Sequence, residues 1–168
     1  MAHGSRDEPM RAGSDRPLIA AGLLLGAGLG GFFDGIVFHQ LLQWHNMLSA
    51  RIPPVDLLRA KLNMFWDGVF HAAVWLMTVA GLVLLFRAGR PPRAVWSGRT
   101  LLGSGLVGWG AFNLIEGIVD HHLLQLHHVL DDSLDPLPAD LAFLASGVVL
   151  GVVGWLLIRS ARRDAGAP

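Results

Sequence analysis

Four long apolar runs, divided by short polar or proline-bearing stretches, set the pattern of this chain. Each is close to or longer than the ~20 residues that cross a bilayer's hydrocarbon layer, so the pattern predicts four membrane helices. Their expected ranges are about 18–48, 57–86, 100–130 and 140–158. Pro53 and Pro54 close the first helix, and Asp56 is placed to cap the second. Arg87, Arg90, Pro91, Pro92, Arg93 and Arg99 make a basic middle loop. An acidic loop with Asp131, Asp132, Asp135, Pro136 and Pro138 follows the third run, after which Asp140 is expected to cap the fourth helix. Outside the helical domain at 18–158 lie a polar segment at 1–17, expected to be disordered, and an arginine-bearing tail at 159–168.

The polar positions inside the runs repeat. Residues 34–48 read D-G-I-V-F-H-Q-L-L-Q-W-H-N-M-L, and residues 116–130, 82 positions later, read E-G-I-V-D-H-H-L-L-Q-L-H-H-V-L; nine of the fifteen pairs are identical. The match resumes at 54–57 against 138–141. Each copy holds two spans, so both copies point the same way. The expected fold is an all-α membrane protein of four transmembrane helices, built as two tandem helix-hairpin repeats with a pseudo-twofold along the membrane normal.

Composition supports this reading and removes other classes. Apolar residues make up 52% and charged residues 15% of the 168 positions, and mean hydropathy is +0.48, values suited to a chain mostly embedded in lipid. Zero formal net charge without a basic-aromatic stripe gives no surface for nucleic acid. Without cysteine or tyrosine there are no disulfides, thiolate ligands or phenolic acid–base groups. Arginines gather near the N-terminus, in the middle loop and in the tail, which puts both termini in the cytoplasm; Arg51, Arg59 and Lys61 run against that bias. The first helix carries Gly22, Gly26 and Gly30 on one stripe, a face open to a neighbouring helix, a second subunit or another membrane partner.

A charged side chain at a helix centre costs about 2.5–3.5 kcal/mol on insertion scales, so intramembrane acids and histidines point to function. At 1.5 Å per residue, Asp34, His71 and Glu116 share a depth of roughly 22–24 Å, and Asp67, Asp120, His39 and His121 lie at roughly 28–31 Å. His45 and His127 stand about 9–10 Å higher, near the outer headgroups. The expected metal site is therefore Asp34, His71 and Glu116, with Asp67 and Asp120 as further ligands or their supports. His45, His122, His127 and His128 are left as an outer relay. His39 and His121 lie roughly 140° from the acids on an α-helical wheel and could ligate a haem from both sides. Helix four, with Gly151 and Trp155 where helix two has Asp67 and His71, is expected only to pack.

Mixed nitrogen and oxygen ligation suits zinc, iron, manganese or copper(II). Three other readings stay open. One is a proton or ion relay or transporter component, although 18–33 and 100–115 carry no ionisable side chain. Another is a metal-dependent membrane hydrolase or oxidoreductase. The third is the bis-histidine haem protein. The residue pattern does not decide whether the protein is an enzyme.

The two long motifs, together with D-G-V-F-H at 67–71, resemble a bacterial family of small four-helix membrane proteins, domain of unknown function 2243. The resemblance runs from about Leu18 to about Ile158 and implies an integral protein of the bacterial inner membrane with this topology. It implies no activity.

Overall fold

The computed structural model describes residues 14–90 and 96–166. Most of the polar 1–17 segment, and Pro91, Pro92 and Arg93 of the basic loop, lie outside the described residues. The described chain is all-helical, and four helices are long and apolar enough to cross a membrane.

Helix α1 spans Arg16–Phe33, with Pro17 in its first turn, where a missing N–H is no loss. It continues as a π-helical segment, Asp34–Leu41. Helix α2 spans Leu57–Ala88; Asp56 caps it as expected, accepting from the Arg59 N–H at 2.9 Å. Helix α3 spans Gly98–Glu116 behind a Ser97 cap and runs on as a second π-helical segment, Gly117–Leu123. Helix α4 spans Leu137–Ala165. It starts before Asp140 because Pro138 fits a first turn, so Asp140 is not the cap: it sits inside the helix and is 1% exposed.

Packing contacts join α1 to α3, α1 to α2, and α3 to α4, and α2 does not touch α4. The helices thus form a row in the order α2, α1, α3, α4 rather than a closed ring. Glycine sets the central α1–α3 crossing. A Cβ at Gly26 would stand 1.8 Å from the Gly105 carbonyl oxygen, and one at Gly108 would stand 2.1 Å from that of Leu23. Such backbone-to-backbone approach is open only to residues without a side chain. Gly22, Gly26 and Gly30 are all buried, so this stripe packs within the chain on α3 and is not a free face for a second subunit. Gly103 and Gly110 meet Gly154 and Gly147 of α4 in the same manner. Outward positions of α2 and α4, such as Trp75, Leu82, Val149 and Trp155, are exposed apolar side chains suited to lipid.

The first and third spans end earlier than expected, at Leu41 and Leu123 rather than near 48 and 130. The ladder widens by one residue, with Leu42 N–H donating to Val37 O at 2.8 Å and Leu124 N–H to Val119 O at 2.7 Å. Gln43 (φ 54°) and Gln125 (φ 49°) then take the left-handed conformation that turns a chain out of a helix. Trp44 N–H closes on Phe38 O and Leu126 N–H on Asp120 O, at 2.9 and 2.8 Å. Both chains fold back toward the bundle, and the two loops are bonded to each other through Ala50 N–H to Leu126 O (3.0 Å) and Arg51 to Leu124 O (2.6 Å).

Candidate metal centre

Each repeat supplies an acid, a histidine five residues on and a second histidine eleven residues on: Asp34, His39, His45 and Glu116, His121, His127. On a regular α-helix the fifth residue lies roughly 140° from the first. The π-helical winding holds one more residue per turn and carries the histidine round toward the acid. His39 Nε2 stands 3.1 Å from Asp34 Oδ2. The fold-back after the glutamine brings the second histidine in from above, so His45 Nε2 is 4.0 Å from Asp34 Oδ1 and His127 Nε2 is 3.7 Å from Glu116 Oε1. His45 and His127 therefore stand beside the acids and not in a layer above them; they are 3% and 0% exposed.

The four rings form a row. His45 and His127 stack with centroids 4.5 Å apart and 4° between planes. His39 meets His45 edge-on at 4.5 Å, and His121 meets His127 edge-on at 4.9 Å. Three overlapping triplets have ligand atoms all within 4.8 Å: His39–His45–His127, Glu116–His121–His127 and Asp34–His39–Glu116.

The Nδ1 atoms are held from outside this centre. His45 Nδ1 lies 3.0 Å from Val129 O, and His127 Nδ1 lies 3.2 Å from Met47 O, each reaching into the other repeat's loop. A carbonyl oxygen only accepts, so each Nδ1 carries the hydrogen and each Nε2 keeps a lone pair. Burial, reinforced by His127 and His39, pushes His45 down to about 3; burial and His39 lower His127 as well, which keeps both rings neutral at ordinary pH. His39 Nδ1 rests on Asp67 Oδ1 at 3.0 Å, and His121 Nδ1 is 3.3 Å from Asp140 Oδ1.

On the inner side no hydrogen bond meets Nε2 of His39, His45, His121 or His127, or one oxygen of Asp34 and of Glu116. Buried polar atoms are rarely left so. A doubly protonated His39 between Asp34 and Asp67 would satisfy that pair alone. His45, His121 and His127 would still be bare.

A family model described as "Predicted membrane protein (DUF2243)" matches residues 21–161. The chain belongs to this family. No curated protein matches it, and no solved structure does.

The remaining candidate residues of this DUF2243 protein surround the centre. Asp67 is outside it, accepting from His39, from the Met47 N–H at 2.8 Å and from the Asn46 amide at 3.1 Å. His71 donates Nδ1–H to Asp67 O of its own helix at 2.7 Å and turns Nε2 to Gly35, where a Cβ would stand 2.7 Å away. It lines a cavity of ≈ 680 Å³ with His39 and Asp67, and it is in none of the triplets. Asp120 is half-buried beside Glu116 and also outside the triplets. His122 is exposed, and His128 rests its Nδ1 on Asp140 at 2.7 Å. His39 and His121 stand at the two ends of the row with His45 and His127 between them, which leaves no slot for a porphyrin.

Asp140 is the position beside the histidines that the helical pattern hid. It takes the Val129 N–H at 2.9 Å and the His128 imidazole at 2.7 Å and stands 3.3 Å from His121 Nδ1, so α4 contributes to the site besides packing. Its sequence context, proline then acid before an apolar run, matches that of the true cap Asp56. The signal available in sequence was the shared acid-x4-His-x5-His spacing, which an α-helical wheel scatters over two faces.

Proposed function

We propose that this membrane protein carries a resident two-ion transition-metal centre built from the overlapping ligand set Asp34, His39, His45, Glu116, His121 and His127. The observation that carries the reading is the orientation of the imidazoles. Nε2 of His39, His45 and His127 converges, buried and bare, on two carboxylates, while their Nδ1 atoms are tied back to carbonyls or an acid; His121, buried at the end of the row, has both ring nitrogens bare. That is how ligating histidines are held in metal proteins, the outer partner fixing the tautomer and raising basicity. Two histidines and one carboxylate per ion, with positions left open, suit iron; zinc, manganese and copper(II) share the donor preference.

Open positions favour metal-dependent chemistry at the membrane over mere storage. They also favour it over a relay, because the other half of α1 and α3 offers no ionisable group and is closed by glycine-mediated backbone contact. The arginine-rich end of the bundle lies opposite the centre, and the positive-inside bias assigns that end, with both termini, to the cytoplasmic side of a bacterial inner membrane.

Protein purified in detergent should hold about two ions per chain by elemental analysis. His45→Ala and His127→Ala should each remove at least half of that metal, and His122→Ala should remove none. Metal-free protein after supplementation with iron, zinc, manganese and copper in turn would sink the proposal.

A further inference from the structure

Two apolar cavities run inward from the sides of the bundle, and each ends on one of the central acids. The larger, ≈ 330 Å³, lies between α1, α3 and α4 and reaches Asp34; the smaller, ≈ 200 Å³, lies between α1, α2 and α3 and reaches Glu116. Only the larger falls within the ~300–1,000 Å³ usual for small-molecule sites.

The larger slot has aromatic walls, Phe33, Phe38, Trp109 and Phe143. Gly30 makes room for the indole, since a Cβ there would stand 2.8 Å from Trp109 Cδ1. Phe33 is 45% exposed at the apolar side of the bundle, which places the mouth of the slot in the lipid. Its deep end is polar, formed by Asp34, Asn113 and Ser146. The hydrogen-bond order there is fixed. Ser146 Oγ donates to Phe143 O at 2.6 Å, so it must accept from the Asn113 amide N–H at 2.9 Å, and Asn113 Oδ1 is left as an acceptor. Asp34, 2% exposed and with Oδ2 unpartnered, is a second acceptor. At the positions of Asn113 and Ser146 the smaller slot has no polar pair.

We propose that this slot binds a membrane-dissolved, ring-headed molecule bearing hydroxyl donors, of the phenol or hydroquinone class. The ring would lie between the aromatic walls and its O–H groups would meet Asp34 and Asn113. Flat aromatic walls fit a ring, and the two acceptors, Asp34 and Asn113 Oδ1, favour a head group bearing O–H over one without it, while the second Asn113 amide N–H and the Trp109 indole N–H can donate to its oxygens. That the slot serves as the substrate port of the centre rests on the metal reading; binding itself does not.

The test is equilibrium dialysis of the full chain in detergent with a short-chain alkyl hydroquinone and with its dimethyl ether, which has no O–H. The hydroquinone should saturate at one per chain and bind at least about tenfold more tightly than the ether, because a site built around a hydroxyl rejects the analogue lacking it. Leu106→Trp, which fills the slot, and Asn113→Leu should each weaken binding at least about tenfold, whereas Met77→Trp in the smaller slot should leave it unchanged. Should Asn113→Leu fail to fold, the ether comparison and Leu106→Trp still decide. Equal binding of hydroquinone and ether, or binding indifferent to Leu106→Trp, would overturn the proposal and identify the slot as an acyl-chain groove. Metal content measured on the same samples separates the two readings: hydroquinone binding to metal-free protein keeps the slot and discards the metal, and metal-loaded protein without binding does the reverse.

Discussion

A buried Nε2 without a partner costs about 1–3 kcal/mol, and the cluster keeps four of them beside two bare carboxylate oxygens. What holds these atoms in place is a set of outer contacts, and Asp140 makes the most of them on the α4 side, taking His128 and the Val129 N–H and standing 3.3 Å from His121 Nδ1. An outer carboxylate of this kind typically changes metal affinity about 10–100-fold. Asp140→Ala should therefore weaken metal retention by that factor in a chelator competition, whereas His71→Ala, whose imidazole turns to Gly35, should leave retention within about threefold. The reverse ranking would mean that the centre lies at the α2 cavity instead. Asp34 and Glu116 were legible in sequence because an acid deep in an apolar run has few uses other than chemistry. The histidines were misplaced for a definite reason. Depth and angle computed at 1.5 Å and 100° per residue hold only while the helix is α, and both motifs leave that geometry at the acid itself.

At the scale of the helix, the same residue type does opposite things at two places. Gly26 lies where a Cβ would stand 1.8 Å from backbone of α3, an atom that cannot swing aside. Gly68 of α2 has nothing within 4 Å of its Cβ position. Gly26→Ala should force α1 and α3 apart, lower the thermal midpoint by several degrees and lower metal content with it, since the two acids sit on those two helices. Gly68→Ala should be neutral or stabilising by about 0.5–1 kcal/mol, through helix propensity alone. Comparable losses from both would show that glycine acts here through chain flexibility and not through close approach. Helix number and the Asp56 cap were readable from apolar run length and proline placement, whereas the ends of the first and third spans were not. The order of the row was not, because a small-residue stripe says that something packs closely without saying what. The two positive-φ glutamines were also hidden, since glycine is the usual residue there and glutamine gives no turn signal.

Taken whole, the molecule is divided across its thickness. One end carries Arg87, Arg99, Arg159, Arg162 and Arg163, with Asp15 held by Arg162 at 2.7 Å and Asp164 paired to Arg99. Next to it is a layer in which α1 and α3 present glycine and aliphatic side chains, with Thr100 and Ser104 as buried polar groups; the Ser104 hydroxyl is turned back onto Thr100 O at 2.7 Å. The acids, imidazoles and bonded loops occupy the far end. A proton crossing this structure would have to traverse the middle layer without a carboxylate, an imidazole or a file of polar groups, and moving a bare charge through such surroundings costs many kcal/mol. Reconstituted into liposomes with an imposed pH gradient, the protein should leave the gradient to decay at the rate of protein-free vesicles, with or without metal. A metal-independent proton flux, abolished by Glu116→Gln, would show that the glycine-packed layer opens and that the buried acids belong to a conduit. The measurement separates the two uses of an intramembrane acid, because a resident metal centre needs access from one face only and a relay needs both.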